Sequence, residues 1–381
     1  MLFRSNWPYP EFVIPEAIKQ AWNYTKKGFA AESAWKEKLV AYEEEYPELA
    51  MELVRRIKGQ LPGHFLKKAD QFVKECQQNN NTMATRKASQ NCLEAYAPLL
   101  PEVIGGSADL AGSNLTLWSG STPISEKADG NYIYYGVREF GMTAISSGIA
   151  LHGGFIPYSA TFLIFMEYAR NAARMAALMK QRSILVYTHD SIGQGEDGPT
   201  HQPVEHLMSL RLIPNIELIR PANNIEIQHS YKYLFSENNK TKVLVLTRQD
   251  LPYFDNSLSY EEFLQGAYEI SSGSDLTLIA TGSEVHLALK IKDLLKDKSV
   301  QIISAPILNK FLSENIENFK MNNLVFSIEL GRSIGWKDYV GNVTKSFSIE
   351  TFGKSANEKD LEKHFKFEAE KIKLEILSYF D

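Results

Sequence analysis

The sequence predicts an α/β protein with two parallel-sheet, three-layer domains preceded by a helical segment. Short β-rich runs alternate with helical patterns from Arg86 to Arg248, and the alternation returns after a polar linker at about Pro252 to Tyr260. Such alternation is typical of parallel sheets covered by helices on both faces. A chain of 381 residues has room for two or three domains of this kind.

The first segment, residues 1–80, is predicted to be a helical linker. It opens with the proline-rich stretch Trp7-Pro8-Tyr9-Pro10 and continues with a helical pattern from about Glu32 to Gly59, which Pro62 and Gly63 close. A segment of this kind is more typical of a connector than of a catalytic core.

The two α/β domains are predicted at residues 81–255 and 265–381. In the first, the expected strands are Ile184 to Thr188, Ile216 to Ile219 and Val243 to Thr247, with a helix from Phe162 to Gln181. In the second, they are Leu276 to Ala280, Val300 to Ala305 and Leu324 to Ile328, with a helix from Glu284 to Lys296.

Charge and composition argue against several classes of protein. The net charge of -5 comes from 41 basic and 46 acidic residues without a basic run, which argues against a nucleic-acid partner. The most apolar stretch, from Phe162 to Met179, contains charged side chains that are costly in a bilayer, so we expect no membrane span. Only Cys76 and Cys92 occur, without metal-ligand spacing or a secretory leader, which favours a cytoplasmic protein without a metal site of its own.

Polar residues follow two of the predicted strands directly. Thr188-His189-Asp190 and Thr247-Arg248-Gln249 come at the carboxyl ends of apolar runs. Ligands of parallel sheets bind at that edge, so both tripeptides are candidates for a binding site.

Three polar, glycine-containing clusters in the middle domain together resemble the transketolase family. They are Gly106-Ser107-Ala108-Asp109-Leu110 with Ser113-Asn114-Leu115-Thr116, then Tyr134 to Met142, and then His189 to Pro203 with its Gly-Glu-Asp-Gly-Pro-Thr-His-Gln-Pro run. The resemblance extends from about Trp7 to the carboxy terminus and weakens after Leu251.

The resemblance implies a thiamine diphosphate enzyme of the pentose phosphate pathway. Such an enzyme transfers a two-carbon ketol unit from a ketose phosphate, for example xylulose 5-phosphate, to an aldose phosphate. It also implies a homodimer, in which the active site forms between the diphosphate-binding domain of one subunit and the pyrimidine-binding domain of another.

The resemblance further assigns the residues that face the cofactor. Glu139 hydrogen-bonds a ring nitrogen of the aminopyrimidine, and Phe165 stacks on that ring. Phe162 and Tyr168 lie at its edge; the i, i+3 spacing of the three aromatic residues would give them a shared face on a helix. Asp109 either contacts the cofactor or caps a helix.

A second group of residues is implied to bind and process the sugar phosphate. His201 faces the reacting carbons and is the second catalytic residue with Glu139, while Asp197 reads a sugar hydroxyl. His189 helps to hold the phosphate, together with Arg86, Ser113 and Arg248. Guanidinium groups offer paired donors to phosphate oxygens, which suits this role.

One part of the family pattern is not found. Gly-Asp-Gly, which binds the diphosphate through Mg²⁺ or Ca²⁺ in the family, does not occur in the sequence. We therefore expect that the diphosphate-binding domain is absent, that this chain alone is inactive, and that a separate domain or subunit must complement it. Whether the chain is a natural split subunit or a truncation stays open.

Two other readings remain at this stage. A 2-oxo acid dehydrogenase β-subunit or a deoxyxylulose phosphate synthase fragment would share the glutamate and the architecture. A non-catalytic assembly module would retain the fold without the reaction.

Overall fold

The computed structural model describes residues 7–78, 81–125, 129–237, 239–254, 257–311, 316 and 319–380. Residues 1–6, 79 and 80 of the first segment and residues 255 and 256 of the expected linker therefore lie outside the described residues. The chain divides into two compact units, one ending at Ile57 and the other beginning at Lys58. Among the described residues, no helix is both long enough and apolar enough to cross a membrane.

The first unit consists of helices α1 (Glu16–Trp22), α2 (Thr25–Glu45) and α3 (Pro47–Ile57). The single helix expected from Glu32 to Gly59 is thus two helices, because a residue before proline disfavours the helical conformation and Tyr46 precedes Pro47. Of the described residues of this unit only Ala50 is buried, so the helices enclose no hydrophobic core of their own.

The second unit begins with a domain built on a six-stranded parallel sheet. Its strands are β2 (Val103–Ser107), β3 (Tyr132–Tyr134), β4 (Ile156–Phe162), β5 (Ile184–Thr188), β6 (Ile216–Ile219) and β7 (Thr241–Leu246), in the order β3-β2-β4-β5-β7-β6. A small antiparallel pair, β1 (Met83–Ala84) with β8 (Asp250–Leu251), lies beside this sheet.

Both faces of this sheet are buried, as the three-layer prediction requires. Alternate residues along the strands contribute to two separate cores. One core includes helices α4 (Phe65–Gln77), α5 (Thr85–Tyr96) and α10 (Asn224–Ser236), and the other includes α8 (Met166–Leu178) and α9 (His206–Arg211). The remaining helices of the domain are α6 (Ala111–Asn114) and α7 (Glu139–His152).

The last domain contains a five-stranded sheet in the order β13-β12-β10-β11-β9. The strands are β9 (Tyr268–Ser271), β10 (Leu276–Ala280), β11 (Val300–Ser304), β12 (Val325–Ile328) and β13 (Lys345–Phe347). Its helices are α12 (Glu284–Leu294), α13 (Leu308–Lys310), α14 (Trp336–Val340), α15 (Glu358–His364) and α16 (Ala369–Leu377). Helix α11 (Tyr260–Leu264) precedes this domain and contributes Phe263 to a core of the first domain. Strand β9 runs antiparallel to β11, so the sheet is parallel except at this edge.

A buried cluster of charges joins the two α/β domains. The guanidinium of Arg220, at the end of β6, donates to Asp190 at 2.7 and 2.9 Å, and it also donates to Glu284 of the last domain. Arg211 forms a bidentate pair with Glu329 at 2.7 and 2.8 Å. All five side chains are buried, so neither domain can separate without leaving charges unpaired.

The last domain also covers the edge strand β6. The side-chain amide of Asn309 accepts a hydrogen bond from the Leu218 N–H at 3.3 Å and donates to the Ile216 carbonyl at 2.6 Å. It therefore occupies backbone groups that face outwards from the sheet edge.

Candidate active site

A cleft of about 870 Å³ opens at the carboxyl end of the parallel sheet, and Glu139 lies in its wall. Glu139 is the first residue of α7 and only 8% exposed. None of the described residues donates a hydrogen bond to its carboxylate. Its oxygens therefore remain available to a ligand in the cleft.

Phe165 and Tyr168 line the same cleft, but the helix predicted for the three aromatic residues is wrong. Phe162 is the last residue of β4, Phe165 ends a single 3₁₀ turn, and only Tyr168 lies on α8. The rings are nevertheless neighbours, because the 3₁₀ turn keeps the chain close. Phe162 and Phe165 stack with centroids 5.7 Å apart, and Phe165 and Tyr168 are 6.2 Å apart.

Asp109 also lines the cleft, with a backbone φ of 62° in the left-handed region. The alternative in which it caps a helix is wrong. Helix α6 begins after Leu110 and has no side-chain cap.

The loop after β5 places His201 against Phe165, which lines this cleft. The rings of His201 and Phe165 form a T-shaped pair with centroids 5.5 Å apart. Gln194 donates to the Asp197 carboxylate at 2.7 Å within the loop. Gln202 donates to the Gly195 carbonyl at 2.8 Å and to the Lys354 carbonyl at 3.0 Å, so the last domain holds the loop from outside.

Two positive charges, those of Arg86 and Arg248, act on His189, which directly follows β5. Its ring stacks on Phe162 with centroids 3.7 Å apart. Burial, and then the positive charges of Arg86 and Arg248, lower the pKa of His189 to about 3. Burial and Arg248 likewise lower the pKa of Arg86.

Arg86 holds the segment that carries Ser113. Its guanidinium donates to the Ser113 backbone carbonyl at 2.5 Å, while its buried Nε has no hydrogen-bond partner among the described residues. Two arginines near a neutral histidine, one with an unused donor, form an arrangement that suits an anion.

Sequence reasoning gave no role to Thr188 and Asn114, although both lie in segments that it singled out. The Thr188 hydroxyl lies 2.7 Å from Nδ1 of His189 and donates to Oδ1 of Asn114 at 2.7 Å. The only signal in the sequence was the place of Thr188 at the end of an apolar strand.

The structure thus brings the two predicted groups of residues together. The cofactor group (Glu139, Phe165, Tyr168 and Asp109) lines one cleft. The substrate group (Arg86, Ser113, His189, Asp197 and Arg248) adjoins it through His201 and Phe162.

Comparison with known proteins identifies both α/β domains. The model of the transketolase pyrimidine-binding domain matches residues 81–253, and that of the transketolase-like C-terminal domain matches residues 266–368. Transketolase 1 of Pasteurella multocida is 50% identical over 96% of this chain and 57% of its own length. Transketolase 1 of Escherichia coli is 47% identical with the same two coverages. The chain therefore spans little more than half the length of these curated relatives.

A solved structure agrees with the sequence relatives. The crystal structure of a Pichia stipitis transketolase in complex with sedoheptulose 7-phosphate superposes with a TM-score of 0.89 at 34% identity, over 98% of this chain and 57% of that one.

The same comparisons correct the expectation about the first segment. The model of the transketolase thiamine diphosphate-binding domain matches residues 3–62. The expectation that the diphosphate-binding domain is absent from the chain is therefore wrong for residues 3–62, which match part of that domain. The stretch lacks Gly-Asp-Gly and has a helical pattern, which is why its sequence resembled that of a connector. With matches to three of its domain models, the chain belongs to the transketolase family.

Proposed function

We propose that this chain supplies the pyrimidine-binding side of a transketolase active site, which transfers a two-carbon ketol unit between sugar phosphates. The observation that carries this proposal is the buried, unpartnered carboxylate of Glu139 in a cleft that adjoins His201 and two arginines. The relatives are transketolases, which favours this reaction over those of other thiamine diphosphate enzymes.

The residues of the cleft fit thiamine diphosphate. An aromatic base would stack on Phe165 and form a hydrogen bond with Glu139. Tyr168 and Asp109 would lie beside it. When bound, the cofactor supplies the carbanion chemistry of ketol transfer. Glu139 would bind a ring nitrogen of the aminopyrimidine and so set its proton state, and the aromatic rings would fix the plane of the ring.

We infer that the metal and diphosphate contacts come from outside residues 81–381. No Gly-Asp-Gly occurs in the sequence, and no cluster of metal-ligating side chains occurs in the part of the chain that the structure describes. Mg²⁺ or Ca²⁺ would bind with the diphosphate there.

On the substrate side, we propose that Arg86, Arg248, His189 and Ser113 bind the phosphate of a ketose or aldose phosphate. The solved relative from Pichia stipitis binds sedoheptulose 7-phosphate, which supports this substrate class. Asp197 would accept a hydrogen bond from a sugar hydroxyl. His201, which the loop after β5 places against Phe165, would orient the reacting carbons and move a proton.

A complementation assay tests the proposal. Ketol transfer from xylulose 5-phosphate to ribose 5-phosphate would be measured with thiamine diphosphate and Mg²⁺, using this chain, a separately made diphosphate-binding domain of a relative, and both together. We expect activity only in the mixture and its loss in Glu139→Ala. Activity of the mixture that survives Glu139→Ala would refute the assignment.

We also propose that the chain self-associates through the outer face of α7 and α8. Ile145, Leu151, Tyr168 and Leu178 on these two helices are each more than half exposed, and such apolar faces mark interfaces. Sedimentation should detect a dimer at micromolar concentration that Ile145→Glu weakens. Ile334→Glu, which alters an exposed apolar residue of the last domain, should leave it intact.

A further inference from the structure

A chain of buried hydrogen bonds begins at the backbone carbonyl of Ala160. The Ser107 hydroxyl lies 3.1 Å from this oxygen, which can only accept, so Ser107 donates to it. The Ser107 oxygen must then accept from Nδ2 of Asn114, 3.0 Å away, which turns Oδ1 of Asn114 towards Thr188. If the amide were flipped, the single hydroxyl proton of Ser107 would face two acceptors, the Ala160 carbonyl and Oδ1 of Asn114. This orientation of Asn114 is therefore the only one that satisfies both contacts of Ser107.

The same reasoning fixes the proton of the His189 ring. The single hydroxyl proton of Thr188 goes to Oδ1 of Asn114 at 2.7 Å. The Thr188 oxygen lies 2.7 Å from Nδ1 of His189 and has only acceptor capacity left, so Nδ1 carries the proton. The four side chains are at most 4% exposed, so the chain of hydrogen bonds is shielded from bulk solvent.

The other ring nitrogen, Nε2, is therefore an acceptor. Burial and the charges of Arg86 and Arg248 lower the pKa of His189 to about 3, against the opposing charge of Asp197, so the ring is neutral near pH 7. His201 is the remaining titratable group that acts on it. No described residue donates a hydrogen bond to Nε2. The ring is held in this state by a backbone φ of 60°, uncommon for a residue with a side chain, and by the stack on Phe162.

We propose that His189 takes part in anion binding as a hydrogen-bond acceptor through Nε2, and that Thr188 and Asn114 are positioning residues that impose this state. The inference rests on the proposed function, in that a phosphoryl group lies between Arg86 and Arg248. The guanidinium groups can donate hydrogen bonds to most of its oxygens. The oxygen that faces Nε2 meets an acceptor, so it must carry a proton in order to form a hydrogen bond there. The site therefore selects anions by their ability to carry a proton.

Three anions differ in this respect. Inorganic phosphate dianion has its own hydroxyl and can donate to Nε2 directly. A phosphomonoester has a second pKa of about 6, so at higher pH it is an aprotic dianion that must bind together with a proton from solution. Sulfate is aprotic and a much weaker base, so it shares such a proton poorly.

Titration calorimetry of the full chain at about pH 8, in buffers of different ionisation enthalpy, measures the protons taken up. We expect about one proton with ribose 5-phosphate and none with inorganic phosphate. Sulfate should bind at least about tenfold more weakly than phosphate, because its oxygen would face an acceptor. Binding of ribose 5-phosphate without proton uptake, or equal affinity for phosphate and sulfate, overturns this inference alone. No binding of any of the three overturns the proposed phosphate site with it.

Two matched variants test the positioning residues. Thr188→Val removes the hydroxyl at constant shape and frees the ring to carry its proton on Nε2, so the preference for phosphate over sulfate should fall to within about threefold. Thr188→Ser keeps the hydroxyl and should keep the preference. If Thr188→Val does not fold, ¹⁵N histidine spectra of the unaltered chain decide the matter. A neutral His189 with its proton on Nε2 overturns the inference.

Discussion

At the scale of single residues, His189 couples the stability of the domain to pH. Its pKa in the folded chain, about 3, lies below the ordinary value near 6.5, so the unfolded chain binds more protons between these values. The free energy of unfolding should therefore rise with pH through this window. Above about pH 6.5, the contribution of His189 to the free energy of unfolding no longer changes with pH.

Arg86→Leu tests this coupling. The substitution removes one of the two positive charges that lower the pKa of His189. Urea unfolding at about pH 7 and about pH 3.5, near the lower end of the expected window, should show a smaller loss of stability in the variant than in the unaltered chain. Arg174→Leu, on the exposed face of α8, is the control and should show the full loss. An unchanged loss in Arg86→Leu would contradict the account.

Glu139→Gln tests the cofactor side. It keeps the shape but replaces a carboxylate with a neutral amide, and a hydrogen bond to a charged group contributes about 1.5–3 kcal/mol. Binding of thiamine, followed by nuclear magnetic resonance of the Phe165 ring, should weaken by about tenfold or more. Glu167→Gln, which alters an exposed carboxylate on α8, should leave the affinity unchanged. Equal affinity in Glu139→Gln would remove Glu139 from the cofactor site.

At the scale of elements, the loop of His201 depends on a glycine of the last domain. A Cβ added to Gly353 would overlap the side chain of Gln202, which ties the loop to Lys354. Gly353→Ala should therefore destabilise the chain by about 1–3 kcal/mol and increase amide exchange in residues 189–203. The matched change Gly148→Ala, in open space on α7, should stabilise it by about 0.5–1 kcal/mol. Equal effects would show that Gly353 has no such role.

The elements also show how far the sequence predicts the fold. Strands β5, β6 and β10 have the predicted bounds, because buried parallel strands appear as continuous apolar runs. Strand β2 was missed because Gly105 and Gly106 interrupt its apolar run, and both glycines make room for tyrosine rings. The end of β4 was assigned to a helix because Phe162 continues directly into the apolar start of α8, and periodicity does not separate the two.

The candidate site shows the same limit. The residues of the loop and of the strand ends could be predicted as a group, because a parallel sheet collects its loops at one edge. The contact of Asn114 with Thr188 joins segments 74 positions apart, and the contact of Gln202 with Lys354 joins two domains. No local pattern records such contacts.

At the scale of the whole molecule, Arg220 joins the two α/β domains. Arg220→Met leaves Asp190 and Glu284 buried without their partner, and breaking a buried pair in this way costs about 3–5 kcal/mol. Calorimetry should show the two domains of the variant unfolding at separate temperatures, whereas the unaltered chain should unfold in one transition. Arg174→Met makes the same change at an exposed position and should keep the single transition. A single, unshifted transition in Arg220→Met would show that the charges do not join the domains.

The amide of Asn309 on strand β6 has a consequence for aggregation. The edge of a sheet presents unpaired N–H and C=O groups that recruit strands of other molecules, and one side chain here blocks two of them. If the pyrimidine-binding domain were produced without residues 266–381, β6 would become a bare, apolar edge. Such a fragment should form thioflavin-binding assemblies that the full chain does not form. The last domain thus acts on its neighbour as a protective cover, in addition to any part that it takes in the reaction.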